Sequence, residues 1–232
     1  MNKYVLIGGG NVGRGNTSYE TEIIDNEIVK LTNKEKPNYL FIGLASSFSD
    51  SYYDTMKKIY KDLGCETYYL KMKNIINNPD IVEDKIKNAD IIYFCGGDSI
   101  KLVHDIKKHL IDKLLKEKDN CIFVGMSAGA ILFCKKGYSD SLILRGEADI
   151  YDYVDGLGLV DIIISPHYDD EKKKNELKSE INDIVYGIPS KTCLIIEDNK
   201  YRVLGEDKVY KCYKENNTFI EEVLKDEGVI NL

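Results

Sequence analysis

Short, almost entirely apolar runs alternate along the first half of the chain with segments in which apolar residues recur every three or four positions. The apolar runs predict β-strands, and the periodic segments predict amphipathic helices. Strands that read as continuous apolar runs and alternate with helices are typical of a parallel sheet buried on both faces. We therefore expect such a sheet, built from strands over residues 3–7, 39–45, 65–70, 91–95 and 121–124.

The second half of the chain departs from this alternation. Residues 135–158 are polar and rich in turn-forming residues, which predicts an excursion from the sheet, and a sixth apolar strand follows over 160–165. Short antiparallel strands are predicted for the tail, over 192–197, 201–204 and 209–213. Because no repeat or linker is evident, the sequence predicts a single α/β domain over 1–232, with a mostly parallel central sheet and helices on both faces.

Composition and charge narrow the class of protein. The formal net charge of −7 is spread along the chain, which argues against a nucleic-acid partner because such proteins present a basic face. The apolar run near the first residue is too short for the core of a secretory signal peptide, and no apolar run is long enough to cross a membrane. We therefore expect a cytoplasmic protein without a membrane partner. The six cysteines include no C-x-x-C pair, which predicts reduced, buried thiols rather than disulfides or a zinc site. We expect neither a metal ion nor another cofactor.

The strand that begins at Cys121 ends in the pattern G-x-S-x-G, at residues 125–129, and an apolar helical segment follows at once. This order is typical of a nucleophile elbow, in which a serine stands on a sharp turn above the sheet. Ser127 is therefore the candidate nucleophile, and the amide of Ala128 would point toward a developing oxyanion. A simple turn between a core strand and a core helix is the alternative interpretation, because short matches to this pattern are common.

A glycine-rich turn at residues 8–13 follows the first predicted strand and matches G-x-G-x-x-G. That motif binds dinucleotides when the next strand ends in an acid for the ribose hydroxyls. The next strand ends instead in Leu44-Ala45-Ser46. We therefore favour a turn that lets the backbone lie close to a neighbouring site, with nucleotide binding as the alternative.

Ligands of parallel sheets lie beyond the carboxyl ends of the strands. The glycine turn, the Gly96-Gly97-Asp98 turn and Ser127 all follow such ends, so we expect them to meet at one edge. Gly97 or Asp98 is the candidate for a second oxyanion amide, since glycine permits close approach of the backbone.

A serine alcohol needs a base within hydrogen-bond reach, and the base needs a third group that fixes its tautomer. His167 is the candidate base, because it lies immediately after an apolar strand, as Ser127 does. The other histidines, His104 and His109, flank the apolar face of one helix and are expected to be solvent-facing or half-buried.

The orienting acid lies between the serine and the histidine, where Asp140 and Glu147 are both candidates. We favour Asp140, because its tight polar turn would hold a carboxylate in place. A serine, a histidine, an acid and two amides together support acyl transfer, most simply the hydrolysis of an amide in a small peptide.

In these residues the sequence resembles the dipeptidase E and cyanophycinase family of serine peptidases. The resemblance is carried by ordered pieces over most of the chain: Gly8-Gly9-Gly10, Ala45-Ser46, Gly96-Gly97-Asp98, residues 125–130, Ser139-Asp140-Ser141, Gly156-Leu157-Gly158 and Pro166-His167-Tyr168. It implies a class I glutamine-amidotransferase-like fold, with Ser127 as nucleophile, His167 as base and Asp140 as orienting acid. Relatives include exopeptidases that prefer an N-terminal aspartate and enzymes that cut aspartate-arginine polymers; in some, a glutamate is the acid, which keeps Glu147 open.

The sequence departs from the family pattern after the histidine, where many relatives carry arginines and this chain continues Asp169-Asp170-Glu171. Arg14 and Arg145 are the remaining candidates for pairing with a substrate carboxylate. The resulting hypothesis is a serine-type peptidase that hydrolyses small peptides, including aspartyl peptides. A homodimer is compatible with this hypothesis. The alternatives are an α/β-hydrolase-type esterase, disfavoured by the strand signals that follow His167, and a non-catalytic module that binds a nucleotide or other ligand at residues 8–13.

Overall fold

Strands and helices alternate through the chain, which the computed structural model describes for residues 1–46 and 49–230. The strands of this part are β1 (Lys3–Ile7), β2 (Asn38–Ile42), β3 (Glu66–Leu70), β4 (Ile91–Phe94), β5 (Ile122–Met126), β6 (Cys134–Ser139), β7 (Asp152–Asp155), β8 (Val160–Pro166), β9 (Val185–Ile188), β10 (Thr192–Glu197), β11 (Lys200–Gly205), β12 (Tyr210–Glu215), β13 (Thr218–Val223) and β14 (Glu227–Val229). The helices are α1 (Glu22–Leu31), α2 (Ser49–Asp62), α3 (Met72–Asn77), α4 (Pro79–Asn88), α5 (Ser99–Lys108), α6 (Ile111–Glu117), α7 (Ala128–Phe133), α8 (Ser141–Arg145) and α9 (Glu171–Glu180).

The strands predicted from the first apolar runs form the parallel centre of an eight-stranded sheet. Its order is β14-β11-β10-β1-β5-β4-β2-β3. The strands from β1 to β3 in this order run parallel to their neighbours, and β10, β11 and β14 form an antiparallel flank. β4 and β5 are buried along their whole length, which explains why their sequences are continuous apolar runs. The expected α/β class with a parallel centre is confirmed.

Helices cover both faces of this sheet, as expected. Successive residues of a strand point to opposite faces, so each strand contributes to two apolar clusters. On one face, Val5 of β1 packs in a cluster with Ile24 of α1 and Met56 of α2. On the other face, Leu6 belongs to a cluster that contains Leu102 of α5.

A second sheet corrects the expectation of a single central one. It has six strands in the order β13-β12-β9-β8-β6-β7, so β8, the predicted sixth strand, lies here and not in the larger sheet. Residues 135–158, predicted as a polar excursion, contain most of β6 together with α8 and β7. The sequence pattern did not indicate β6, because this strand carries two lysines and its last three, buried positions are Gly137, Tyr138 and Ser139 rather than an apolar run. Of the predicted tail strands, β10 and β11 extend the larger sheet and β12 pairs with β9.

Two helices differ from their predicted course. The spacing of Val103, Ile106, Leu110 and Leu114 predicts one helix, but it divides into α5 and α6 at Leu110, because this residue adopts a left-handed φ of 57°. The spacing of Ile24, Ile28 and Leu31 predicts a helix from about residue 17, but the helix begins at Glu22, since the chain before it forms a turn closed by a bridge between Val12 and Tyr19. No helix within the two described ranges combines the length and the apolar character needed to cross a membrane.

The six cysteines are buried and none forms a disulfide, as predicted. Burial raises the pKa of the Cys121 thiol to about 12, so this thiol is protonated at neutral pH and is a poor nucleophile or metal ligand. Nor do three or more His, Cys, Asp or Glu side chains come together as a metal-binding group anywhere in the described part of the chain.

Candidate active site

The carboxyl ends of β1, β4 and β5 open onto one pocket with a volume of about 380 Å³. Its wall includes Gly10, Gly97 and Ser127, which follow these three strands. His167, which follows β8 of the second sheet, and Asp140 also line the pocket. Segments that are far apart in the sequence therefore meet at the edge where the sequence placed them.

Ser127 occupies a strained turn between β5 and α7. Its backbone angles are φ 51° and ψ −109°, a combination that residues with a side chain rarely adopt. The surrounding backbone holds this conformation: the Ser127 amide donates to the Ile7 carbonyl at 2.9 Å, and the Ser127 carbonyl accepts from the amides of Ala130 and Ile131. The side chain is half-buried and faces the pocket.

Gly129, in the first turn of α7, allows this helix to lie directly against β4. A Cβ atom built on Gly129 would lie 2.2 Å from the carbonyl oxygen of Phe94. The helix that starts after Ser127 therefore fits only because this position has no side chain, which is the close packing expected of the G-x-S-x-G pattern.

His167 faces Ser127 across the pocket. Its Nε2 lies 3.0 Å from the Ser127 Oγ, within hydrogen-bond distance. His167 adopts a left-handed φ of 51°, and its amide donates to the Gly8 carbonyl at 3.0 Å, which fixes the end of β8 against the turn after β1. The other histidines lie outside the pocket wall: His104 is exposed on α5, and His109 is half-buried just after it.

The surroundings of His167 favour the neutral imidazole. Burial lowers the pKa of His167, and the ammonium of Lys173 lowers it further. The carboxylates of Asp140, Asp169 and Asp170 act in the opposite direction, but the net shift is downward. The imidazole is therefore neutral at pH 7 and able to accept a proton.

Lys173 is a buried cation that the sequence did not single out. Its side chain on α9 is 2% exposed, and its ammonium donates to the Pro166 carbonyl at 2.7 Å. Burial lowers the pKa of Lys173 to about 8, so it still carries its charge at neutral pH. Lys173 lies in an unbroken run of charged residues, which is typical of a solvent-exposed segment, so the sequence gave no sign that it is buried.

The second nitrogen of the imidazole is bonded to a serine. His167 Nδ1 lies 3.2 Å from Ser190 Oγ, and that hydroxyl donates to Asp169 Oδ1 at 3.0 Å. The Ser190 amide donates to the same oxygen at 2.7 Å. Neither residue was a candidate, because Asp169 opens a charged run and Ser190 lies in an ordinary Pro-Ser-Lys turn.

The acid expected to orient His167 lies on its other side. β8 lies between β6 and β9, so Asp140, after β6, and Ser190, after β9, flank His167 from opposite directions. The imidazole turns Nδ1 toward Ser190, and Asp140 acts on His167 only through space. Glu147 is exposed and pairs with Arg145 at 3.3 Å. Within the described ranges, neither carboxylate is hydrogen-bonded to the imidazole, whose Nδ1 is bonded to Ser190 instead. The role of Asp140 or Glu147 as the orienting acid stays a prediction.

The candidate oxyanion donors divide into two kinds. The amide of Asp98 donates to the Ala45 carbonyl at 3.0 Å, and its carboxylate accepts from the Lys101 amide as the N-cap of α5. Asp98 therefore serves the fold, which corrects its place among the oxyanion donors. The amides of Ala128 and Gly97 remain candidates, and Ala128 is the first residue of α7, where an amide has no acceptor within its own helix.

The two candidate arginines have different surroundings. Arg14 lines the pocket, and its guanidinium lies 5.5 Å from the centre of the Tyr52 ring. Arg145 is turned to other protein groups, since its Nε lies 3.0 Å from the Asp98 carboxylate and its Nη1 contacts Glu147. Of the two arginines, Arg14 is therefore the one that lies at the pocket wall.

The glycine turn after β1 is part of the same site. A Cβ atom on Gly9 would lie 2.2 Å from the His167 Cε1 atom, so the imidazole rests directly on this backbone. The turn leads into a bridged loop and not into a helix N-terminus, which the dinucleotide motif requires. The expectation that this turn brings backbone close to a neighbouring site is confirmed.

Comparison with known proteins agrees with this architecture. The chain is 27% identical over 176 residues to the uncharacterized peptidase YgaJ of Bacillus subtilis, covering 75% of this chain and 72% of YgaJ. It is 25% identical over 216 residues to peptidase E of Nostoc, covering 86% and 84% of the two chains. A peptidase structure from an acI-B1 actinobacterium has the same fold, with a TM-score of 0.69, 20% identity and coverage of 99% of this chain and 97% of that one.

A second solved structure, a putative peptidase E of Listeria monocytogenes, has a TM-score of 0.65 at 20% identity and covers 89% of this chain and 100% of that one. The sequence model of peptidase family S51 matches residues 4–207, which include each strand end that forms the pocket. The chain therefore belongs to peptidase family S51.

Proposed function

We propose that this protein is a serine peptidase that hydrolyses small peptides, with Ser127 as nucleophile and His167 as general base. The observation that carries the proposal is the 3.0 Å contact between Ser127 Oγ and His167 Nε2 at the wall of a pocket. A serine becomes a nucleophile when a neutral base lies within this distance, and burial keeps the pKa of His167 low enough for the neutral form. Membership of a peptidase family gives the reaction class.

The first half of the reaction forms an acyl-enzyme. Ser127 Oγ attacks the carbonyl carbon of the peptide bond while His167 Nε2 takes the hydroxyl proton. The oxyanion that develops is stabilised by the amides of Ala128 and Gly97, each typically contributing about 3 kcal/mol. Collapse of the intermediate breaks the C–N bond, and the imidazolium gives its proton to the departing amine.

The second half of the reaction releases the acid product. His167 takes a proton from a water molecule as the water oxygen attacks the acyl carbon, and the imidazolium then returns a proton to Ser127 Oγ as the ester bond breaks. One water is consumed, and the enzyme returns to its starting state. The strained backbone of Ser127 supports its assignment as a nucleophile elbow, because that strain keeps the hydroxyl above the sheet in both steps.

The size and charge of the pocket favour a short peptide. A volume of about 380 Å³ accommodates one or two residues rather than an extended chain. Arg14 would pair with a substrate carboxylate and Asp140 with a substrate amine, so both ends of a zwitterionic peptide find a partner of opposite charge. An acidic first residue, as in aspartyl dipeptides, is one substrate class that the pair would admit.

A dipeptide library measured on wild-type protein and on Ser127→Ala tests this function. We expect wild type to release amino acids from a subset of dipeptides and Ser127→Ala to lose at least about a thousandfold of that activity, because the nucleophile is absent. Ser179→Ala, which removes an exposed hydroxyl on α9, is the matched control and should retain wild-type activity. Turnover of esters without any dipeptide, or unchanged activity in Ser127→Ala, would contradict the proposal.

We further propose that the enzyme is a single-domain protein of the cytoplasm. The apolar cluster that contains Leu6 and Phe94 of the larger sheet also contains Ile162 and Ile188 of the second, so the two sheets share buried surface. Six unpaired, buried thiols are in keeping with a reducing compartment.

A further inference from the structure

The hydrogen bonds on the far side of His167 form a short chain that ends on a carboxylate. Its members are His167 Nδ1, Ser190 Oγ and Asp169 Oδ1, joined at 3.2 and 3.0 Å. We propose that Ser190 and Asp169 act together as the positioning group of His167, in place of a carboxylate bonded directly to the imidazole. This role rests on the proposed function of His167 as the general base.

The charge on Asp169 determines the direction of every hydrogen bond in this chain. An ionised carboxylate can only accept, so the single proton of the Ser190 hydroxyl is donated to Asp169. The hydroxyl oxygen then has only lone pairs to offer to His167, and Nδ1 must carry the proton and donate. Nε2 is therefore unprotonated and accepts the proton of Ser127, which is the tautomer that catalysis needs.

A serine without the carboxylate would not fix this tautomer. A free hydroxyl can donate to an unprotonated Nδ1 as readily as it can accept from a protonated one, so Ser190 alone favours neither tautomer of His167. Asp169 fixes the direction of the hydrogen bond, because it accepts the hydroxyl proton of Ser190. Although partial burial opposes ionisation, the hydrogen bonds from the Ser190 amide and hydroxyl lower the pKa of Asp169, so the carboxylate is ionised at neutral pH.

The hydrogen-bonded pair of Ser190 and Asp169, called the relay from here on, also avoids burying a carboxylate beside the imidazole ring. His167 is half-buried, whereas Asp169 is exposed at the start of the charged segment that leads into α9. A buried carboxylate would lose much of its hydration, which disfavours its ionised form. The Ser190 hydroxyl instead transmits the field of a solvated carboxylate to Nδ1, and it stabilises the imidazolium without taking its proton.

Other charged groups face His167 but are not bonded to Nδ1. Lys173, Asp140 and Asp170 alter the pKa of His167 through space. They act on His167 from a distance, whereas Ser190 is bonded to Nδ1 itself. The tautomer of the neutral ring is therefore the readout most sensitive to Ser190 and Asp169.

Nuclear magnetic resonance of histidine labelled with ¹⁵N reads this tautomer directly and does not require a substrate. At about pH 8, where the His167 ring is neutral, we expect His167 of the wild type to be almost entirely in the Nδ1–H form. Ser190→Ala and Asp169→Asn should each produce a mixture of tautomers or the Nε2–H form. Ser190→Thr, which keeps the hydroxyl, should restore the wild-type signals. His104 and His109 serve as internal references in every spectrum.

Steady-state kinetics on the best dipeptide provide the second readout. Ser190→Ala and Asp169→Asn are expected to lower kcat by about a hundredfold, the lower end of the contribution of a positioned base, with little change in KM. Ser190→Thr should recover most of kcat. Asp161→Asn is the matched control, because Asp161 lies near the opposite end of β8, pairs with Lys135, and should leave kcat unchanged.

The two readouts separate failure of the relay from failure of the function. If either Ser190→Ala or Asp169→Asn keeps the pure Nδ1–H form with unchanged kcat, the relay is overturned, even if wild type is an active peptidase. A wild-type His167 in the Nε2–H form overturns it as well. If wild type hydrolyses no dipeptide but both variants shift the tautomer, the hydrogen-bond relay stands and the proposed peptidase function falls.

Discussion

His167 lies between one buried cation and several carboxylates, so its proton affinity is a balance of opposing effects. The ammonium of Lys173 acts from the α9 side, and Asp140, Asp169 and Asp170 act from the pocket side and the turn. Because burial and Lys173 together prevail, the pKa of His167 lies below its usual value of about 6.5. This balance has a direct consequence for the pH dependence of the enzyme.

Replacing Lys173 by methionine should move the acidic limb of the pH profile to higher pH. His167 acts as a base only when neutral, so kcat/KM rises with pH through the pKa of His167. Removing the cation removes an effect that lowers this pKa, so the pKa rises and more alkaline solution is needed for full activity. The measurement is kcat/KM from about pH 5 to pH 8 for wild type and Lys173→Met.

Lys172→Met is the control for this experiment, because Lys172 is exposed on the neighbouring position of α9 and pairs with Asp149. In Lys172→Met, the acidic limb of the pH profile of kcat/KM should stay at its wild-type position. If that limb stays in place in Lys173→Met, or moves to lower pH, Lys173 does not act on His167 as described.

The residues of the site were predictable to different degrees. Ser127 and His167 stand out because each follows the end of an apolar strand. Ser127 also lies in the G-x-S-x-G pattern, and histidine is scarce in this chain. Ser190 and Asp169 do not, since a serine in a polar turn and an aspartate before a charged helix are among the commonest surface residues. Their importance depends on which side of His167 the Nδ1 atom faces, and no sequence pattern carries that information.

At the scale of secondary structure, the turn after β1 forms the surface on which the imidazole rests. Gly9 has no left-handed φ, so its backbone would tolerate alanine, and the main obstacle is overlap between the new methyl group and His167, with Ser190 Oγ 3.1 Å away. The methyl group would lie 2.2 Å from Cε1 and 2.5 Å from Nδ1. Displacement of the ring is the simplest way to relieve that overlap.

Gly9→Ala is therefore expected to lower kcat by about tenfold or more, because a small misplacement of a general base weakens proton transfer strongly. Gly228→Ala, on β14 at the edge of the sheet, is the control, since its methyl group would meet only the end of the Tyr201 side chain. Wild-type kcat in Gly9→Ala, at an unchanged melting temperature, would mean that the contact between Gly9 and His167 does not hold the base in place.

The strands and helices were predictable where burial on two faces makes a strand continuously apolar, as in β4 and β5. The sequence did not predict β6, β7 and β13, which are partly exposed and lack a continuous apolar run. A strand that buries a glycine, a tyrosine and a serine lacks both the apolar run and the clean alternation on which the prediction depends.

At the scale of the whole molecule, the candidate site lies where the two sheets meet. Ser127 follows a strand of the larger sheet and His167 a strand of the second, while Ser190 lies on the connection from β9 to β10 that passes from one sheet to the other. The sequence predicts which strands end at the site, but it does not reveal that they belong to separate sheets. Because the connection from β9 to β10 passes between the two sheets, Ser190 approaches His167 from the β9 side.

Stability should depend on a buried acid remote from the reaction. Asp25 of α1 is fully buried and accepts hydroxyl hydrogen bonds from Thr21, Tyr19 and Tyr60. Burial raises the pKa of Asp25 to about 6, although these hydrogen bonds oppose the shift. A carboxyl whose pKa is raised on folding contributes stability below its unfolded pKa, and that contribution is lost as the pH rises through the folded pKa.

Comparison of wild type with Asp25→Asn isolates this contribution, because the asparagine does not titrate. The difference in free energy of unfolding should shift in favour of the variant by about 2 kcal/mol between about pH 4.5 and about pH 7.5. Urea denaturation at both pH values measures it. A difference between the two proteins that is independent of pH would show that the pKa of Asp25 is not raised in the folded state.

The proposed reaction depends on activation of the Ser127 hydroxyl by His167. Treating the protein with a fluorophosphonate and mapping the adduct by mass spectrometry measures this activation, because the reagent forms a bond only with an activated serine. We expect a single adduct on Ser127 in wild type, little labelling of His167→Ala and none of Ser127→Ala. A wild-type protein that remains unlabelled, or an adduct on a different serine, would contradict it.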